Sequence, residues 1–229
     1  MPNKNIIAID GPSGVGKGTL AQNIADHYGF AKLDTGSLYR AITMHLINSG
    51  FDMDKLTEDE AADAAQKISD DNSIIKYAKS PNIRSAQISK LTAPIASFEK
   101  VRKVIRKYQL DFGRNPPLLA NGRQPNGAVV EGRDIGTVIF PDAPLKIYLT
   151  ASAEVKAARR VRQYADEGIK SDYEEVLKDQ KRRDEIDRTR KHGALKIAPD
   201  AIIIDNSDLK KSQTFALAKD LIKEKFGLS

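Results

Sequence analysis

Between an apolar run, Ile6-Ile7-Ala8-Ile9, and a helical pattern that begins Leu20-Ala21-Gln22-Asn23-Ile24-Ala25 lies the stretch Gly11-Pro12-Ser13-Gly14-Val15-Gly16-Lys17-Gly18-Thr19. A short buried strand, a glycine-rich turn and an amphipathic helix are the context in which G-x-x-x-x-G-K seats a phosphate. Glycines at 11, 14, 16 and 18 permit positive φ and close approach, so successive N–H groups can converge on phosphate oxygens. The helix N-terminus adds partial positive charge. Lys17 supplies a mobile cation suited to charge on β- and γ-phosphates. Taken as a plain strand-to-helix turn, the stretch would need strand, spacing, lysine and helix to agree by accident.

A chain of 229 residues, 40% of them hydrophobic, can bury one substantial core and is short for two independent domains. No apolar run approaches the ~20 residues that span a bilayer. The polar start Pro2-Asn3-Lys4-Asn5 leads into a strand rather than a signal segment. A soluble, cytoplasmic protein with no membrane role is therefore expected. Without cysteine, disulfides and thiolate metal sites are excluded, and the three histidines are dispersed without metal-ligand spacing. No residue is assigned to a metal. The net charge of +6 does not demand a nucleic acid, because aromatics are only 6% and the basic residues are spread among many acids. Arginines gathered around phosphorylated nucleotides would leave the same excess.

Strands and helices alternate along the chain. His27-Tyr28-Gly29 ends the first helix, and Phe30-Ala31-Lys32-Leu33 is a second strand. Asp34 to Arg40 then opens a helix to about Asn48, with Asp34 or Thr35 as cap, which sets polar groups at a strand's carboxyl end. Arg40 there suits a phosphate monoester. A peripheral amphipathic helix is predicted within Asp52 to Asp71, a loop or abbreviated strand pair over Ser73 to Ile88, and a longer helix from Ser97 that ends at Gly113. Arg114 to Gly127 is a Pro/Gly/Asn-rich surface loop.

Ala128-Val129-Val130 is the third strand. At its end Glu131-Gly132-Arg133-Asp134-Ile135-Gly136-Thr137 presents one cation and one acceptor between two glycines, either as a ligand-binding turn or as a local surface pair. Leu145 to Leu149 is the fourth strand and Ala201 to Asp205 the fifth, with a closing helix from Leu209 to Phe226. Ser152 to about Glu167 and about Asp172 to Arg190 form a helix-break-helix around Gly168. It carries Arg159, Arg160 and Arg162, either as a lid over transferring phosphates or as a solvated charged hairpin. Arg183, Asp187 and Arg190, at i, i+4 and i+7, share one face and suggest a phosphate clamp beside a sugar-hydroxyl acceptor. The alternation favours a parallel, three-layer α/β architecture.

With these stretches in place, the chain resembles the bacterial cytidylate kinases over nearly its whole length. The resemblance is carried by G-P-S-G-V-G-K-G-T at 11 to 19, L-D-T-G-S-L-Y-R at 33 to 40, E-G-R-D-I-G-T-V-I-F-P-D-A-P at 131 to 144 and R-D-E-I-D-R-T-R at 183 to 190. It implies a P-loop nucleoside monophosphate kinase fold, a five-stranded parallel sheet flanked by helices, with a monophosphate-binding lobe and a lid. In this chain the core would take about 1–35, 126–158 and 191–229, the lobe about 36–125 and the lid about 159–190. The implied reaction moves the γ-phosphoryl group of ATP to CMP or dCMP with Mg²⁺, in a monomer. The alternatives are a P-loop kinase of another small acceptor, or a nucleic-acid-associated P-loop ATPase.

Carried over by position, Gly11 to Thr19 and Arg159 would bind ATP. Thr35, Arg40, Arg102, Arg133, Asp134, Asp187 and Arg190 would bind CMP, with Asp187 on the ribose and Asp134 and Arg102 on the cytosine edge. Lys17, Arg133, Arg183 and Arg190 would act on the transferring group. Cytosine offers an amino donor to a carboxylate and ring acceptors to a guanidinium, which makes that pairing sensible. Three departures stand out. Gly18 occupies the place where many such loops carry the Mg²⁺-touching hydroxyl, with Thr19 one later, so the metal would be held mostly through water and phosphate oxygens. Ala93 replaces a base-contacting serine, with Thr92 as a candidate substitute. Ser73 to Arg84 is too short for the family's full inserted sheet, while Arg114 to Gly127 is long.

Overall fold

Unbroken apolar runs suit strands covered on both faces. In the computed structural model, which describes residues 5–228, such runs form the interior of a five-stranded parallel sheet. Its strands are β1 (Ile6–Asp10), β2 (Ala31–Asp34), β3 (Ala128–Gly132), β4 (Leu145–Thr150) and β5 (Ile202–Asp205), in the order β2-β3-β1-β4-β5. β1 is central and wholly buried, with Ile7 in register with Val129 of β3 on one side and Leu145 of β4 on the other. The chain leaves β1 toward β2 and later crosses to β4, so the carboxyl end of β1 lies at the topological switch, where open α/β sheets bind ligands.

Among the described residues nine α-helices accompany the sheet. They are α1 (Lys17–Tyr28), α2 (Thr35–Asn48), α3 (Glu58–Asp70), α4 (Ser73–Ala78), α5 (Ala86–Ile95), α6 (Glu99–Arg114), α7 (Ala153–Asp166), α8 (Tyr173–Thr189) and α9 (Lys211–Phe226). None is long and apolar enough to cross a membrane. The chain divides into two units, one running to Leu33 and resuming at Gly113, the other Asp34–Phe112.

In the first unit Ile7, Ile9, Val129, Ile147 and Leu149 of the sheet pack with Leu20 and Ile24 of α1 and with Ala218 and Ile222 of α9. Each buried isoleucine or leucine contributes roughly 1.5–3 kcal/mol relative to exposure. Gly29 ends α1 at φ 66°, its N–H on the Ala25 carbonyl, as its position in the sequence suggests. The helix-break-helix is also as expected. Ser152 caps α7, Asp172 caps α8 and Gly168 turns between them at φ 73°. Gly113 does not end its helix, which continues through Arg114. A Cβ at Gly113 would lie 2.3 Å from Phe140 Cζ, so close packing explains the glycine better than a cap does. The loop before β3 is anchored at its end, where the Asn126 side chain donates to the Tyr28 carbonyl at 2.7 Å.

The second unit is helical among its described residues from Thr35 onward. α2 packs against α3, α4 and α5, burying Leu38, Ile42 and Leu46 with Ala61, Ile68, Ile74 and Ile88. Thr57 and Glu60 close a capping box on α3. The loop or strand pair predicted over Ser73 to Ile88 is instead α4, a 3₁₀ turn Pro81–Arg84 and the start of α5. The isoleucines that obscure helical periodicity there are the buried contacts of short turns, with Ile74 and Ile83 both interior. Pro81 begins the 3₁₀ turn and Ser85 caps α5 through the Ile88 amide, breaking the segment into pieces too short to show a period.

Candidate active site

The phosphate loop leaves β1 through three glycines in conformations closed to most side chains: Gly11 at φ 152°, Gly14 at 83° and Gly16 at 94°. At Gly11 a Cβ would also meet the Leu149 carbonyl oxygen at 2.1 Å. Gly16 begins α1 without a side-chain cap, and no acid occupies the first turn, which leaves the positive end of the helix dipole to an anion. Lys17 is 7% exposed and donates to the carbonyls of Gly11 and Pro12, both at 2.7 Å. Burial, then the nearby Arg133, lowers its pKa to about 7 against the pull of Glu131, Asp187 and Asp10.

Beside this loop, Arg133 after β3 donates from Nε to Asp187 Oδ2 at 2.6 Å. Arg190 stands beyond the end of α8, with its Nη1 3.6 Å from the other Asp187 oxygen and its Nε on the Gly193 carbonyl at 2.6 Å. Burial raises the Asp187 carboxyl, but Arg133, by charge and hydrogen bond, and then Arg190 and Lys17 outweigh that and hold it below the usual carboxylate range. Arg133 is thus paired across 54 positions. Arg183 does not join Asp187. It pairs with Asp179 one turn earlier, Nε to Oδ2 at 2.7 Å, so the expected shared face is divided between two carboxylates.

Arg159 on α7 donates to the side chain and backbone oxygens of Asn206 at 3.0 and 2.8 Å. Asn206 in turn donates to the Val15 carbonyl of the phosphate loop at 2.8 Å. Deeper between α7 and α8, Lys156 and Asp184 form an ion pair, their side chains 3% and 6% exposed. Against Gly14 a Cβ would lie 3.5 Å from Lys156 Cβ and 3.7 Å from Gln180 Oε1, so both helices rest on the phosphate loop. A cavity of about 340 Å³ opens beside Pro12, lined by Tyr148, Thr150, Lys156, Asp184 and Arg188 among others. Asn206, Lys156, Asp184 and Arg188 were not singled out from the sequence. Lys156 alone left a signal there, as a charge on the buried side of α7 next to Ala157.

Asp10 also escapes a reading by motif. It is 5% exposed at the end of β1, and the amides of Ile135 and Gly136 donate to its two oxygens at 2.9 and 2.7 Å. Burial raises its carboxyl to about 6, against the lowering effect of those two amides. Asp134, immediately before them, is buried as well.

In the unit Asp34–Phe112, Asp34 rather than Thr35 caps α2, accepting from the Ser37 amide at 3.1 Å. Its other oxygen accepts from Arg40 at 3.1 Å and from Arg84 at 2.7 Å, so Arg84 joins Arg40 on one carboxylate. Thr35 is buried at the first position of the helix. Arg102 lies 5.8 Å over the Tyr39 ring and donates to the Ala96 carbonyl at 3.3 Å. The Thr92 hydroxyl donates to the Ile88 carbonyl at 2.7 Å and faces Thr43 at 3.0 Å, which engages it inside the helical packing.

The protein-family model described as cytidylate kinase matches residues 7–224. The cytidylate kinase of Bartonella bacilliformis is 40% identical over 221 residues, covering 96% of this chain and 95% of that protein. The cytidylate kinase of Mycolicibacterium paratuberculosis is 37% identical over 232 residues, covering 98% of each. Among solved structures, an uncharacterized protein from Eubacterium ventriosum superposes with a TM-score of 0.52 at 14% identity, covering 96% of this chain and 98% of that one. At that identity the likeness concerns the fold alone.

Proposed function

The chain belongs to the cytidylate kinase family, and we infer that it acts as one, transferring the γ-phosphoryl group of ATP to CMP or dCMP. The observation that carries this reading is the meeting, at the switch point of the sheet, of an uncapped helix N-terminus bearing Lys17 with the Arg133–Asp187–Arg190 cluster. One side offers amides and a cation to a polyphosphate. The other offers two guanidinium groups and a carboxylate to a phosphorylated sugar.

In this scheme Gly11, Pro12, Ser13, Gly14, Val15, Gly16, Gly18 and Thr19 cradle the phosphates of ATP, and Arg159 steadies the nucleotide through its tie to Asn206. Lys17 leaves the Gly11 and Pro12 carbonyls to follow the transferring group. Arg133 and Arg190 hold the CMP phosphate and screen its charge, and Asp187 accepts a ribose hydroxyl. Arg183 adds positive charge once it leaves Asp179. Asp134 and Arg102 read the cytosine edge, while Thr35 and Arg40 complete the acceptor's surroundings. An oxygen of the CMP phosphate attacks the γ-phosphorus. The bond to the β-phosphate oxygen breaks, and ADP and CDP result. Positioning and electrostatics do this work without a covalent nucleophile.

Among the described residues no three carboxylate or imidazole side chains gather into a chelating cluster. Mg²⁺ would arrive on the nucleotide, held mostly through water and phosphate oxygens, since Gly18 stands where a hydroxyl could have touched it. Bound there, the ion would neutralise charge on the β- and γ-phosphate oxygens. The scheme is proposed for a monomer acting in the cytoplasm.

A coupled assay with ATP, Mg²⁺ and a panel of CMP, dCMP, UMP, AMP and shikimate tests the proposal. Fastest transfer to CMP and dCMP is expected. Preference for another acceptor would overturn the roles of Arg102 and Asp134, and nucleic-acid-stimulated hydrolysis without any phosphorylated product would overturn the kinase itself.

A further inference from the structure

We propose that Asp10 is a positioning residue for the acceptor: it caps the turn that carries Arg133 and Asp134, and so sets where the base-reading carboxylate stands. The proposal rests on the acceptor roles given above to Arg133 and Asp134. The turn Ile135–Ile139 is π-helical, closed by the Ile139 and Phe140 amides donating five residues back to Asp134 and Ile135 at 3.2 and 2.7 Å. Single π turns are rare and poorly self-supporting, and they concentrate at functional sites. As in any helix, the first amides have no acceptor within the turn.

An aspartate at the position before a helix ordinarily supplies that acceptor from its own side chain. Asp134 holds that position and does not cap, its backbone lying at φ −138° and ψ 24°. The amides of Ile135 and Gly136 are instead taken, one each, by the two oxygens of Asp10, a residue 125 and 126 positions away on β1. Asp10 thus does for this turn what the side chain at the capping position ordinarily does. On its other side the turn lies against Lys146, since a Cβ at Gly136 would stand 3.2 and 3.3 Å from Lys146 Cδ and Cγ but at ordinary contact, 3.4 Å, from Asp10 Oδ2.

Each Asp10 oxygen is engaged by an amide of the turn. Its action passes through the turn. Asparagine in its place keeps one acceptor but presents an amide donor to a second N–H, so one end of the turn is released. The residue after Asp10 opens the phosphate loop, but Gly11 is fixed independently by its packing on Leu149. The consequence belongs to the acceptor and not to ATP.

The test measures KM for ATP, CMP and UMP and the CMP-to-UMP ratio of kcat/KM in the wild type, Asp10→Asn and Gly136→Ala. The second variant presses on the same turn from the Lys146 side with Asp10 retained. Expected in each variant is a rise in KM for CMP and a fall in the CMP-to-UMP ratio, both of about tenfold or more, the scale of a displaced recognition group, with KM for ATP within about twofold. Folded variants that keep CMP affinity and the ratio, or that lose ATP and CMP affinity equally, overturn the proposal. If Asp10→Asn does not fold, Gly136→Ala alone decides. If neither folds, the contact is a fold determinant and the positioning role is wrong. A wild type that does not prefer CMP to UMP overturns the underlying reading, and the proposal with it.

Discussion

The ammonium of Lys17 donates to two carbonyls of its own loop and sits in a pocket whose burial, with Arg133 nearby, lowers its pKa to about 7. Such a lysine is only partly protonated at neutral pH, and an arriving phosphate raises its proton affinity again. Below pH 6 Lys17 already carries its proton, and at pH 8 it does not. Binding of a nonhydrolysable ATP analogue should then take up close to about one proton at pH 8 and about none at pH 6. Calorimetry in buffers of different ionisation enthalpy reads this directly, with Lys17→Met expected to remove the uptake. Absence of uptake at both pH values in the wild type would mean that Lys17 is charged before the nucleotide binds. Asp187 presents the opposite case. Arg133 and Arg190 keep it ionised, so it stays an acceptor for a sugar hydroxyl throughout the neutral range.

Between elements, the decisive contact is the buried pair of Lys156 on α7 and Asp184 on α8. Exposed pairs on single helices, such as Lys103 with Glu99, are worth little because water already satisfies both charges. Removing one member of a buried pair strands the other charge, which costs about 3–5 kcal/mol. Asp184→Ala should therefore lose stability of that order in urea denaturation. Lys156→Met combined with Asp184→Leu should recover most of it, because no charge is left without a partner. A loss below about 1 kcal/mol for the single change would show that the pair behaves as a surface contact. Both helices also lie against Gly14, so the single change should slow turnover as well as weaken the fold.

At the scale of the whole molecule, the phosphate loop belongs to the unit that ends at Leu33 and resumes at Gly113, while Arg40, Arg84 and Arg102 belong to Asp34–Phe112. A ligand stabilises what it touches, by about 2.7 kcal/mol at a hundred times its Kd. Hydrogen exchange with an ATP analogue alone should slow the amides of the loop and α1 and leave α2 through α5 unchanged. Addition of CMP should then protect α2 as well. Protection of Asp34–Phe112 by the ATP analogue alone would contradict the assignment of Thr35 and Arg40 to the acceptor. The features legible in the sequence are those written in neighbouring residues. These are the glycine spacing of the phosphate loop, the strands as apolar runs, and the helices that start near Ser152 and Asp172 on either side of the Gly168 break, all of which the fold repeats. Arg133, Asp187 and Arg190 were also named in advance, and the fold brings them together. The helices of Ser73 to Ile95 were not legible, because turns of a few residues display no period and owe their form to packing on α2. Nor was the choice of partners. Asp10 with the Ile135 and Gly136 amides, Asp34 with Arg84, Lys156 with Asp184 and Asn206 with Val15 join residues from 28 to 191 positions apart. A charge in a sequence has many possible partners, and the one it takes is set by which elements the core presses together.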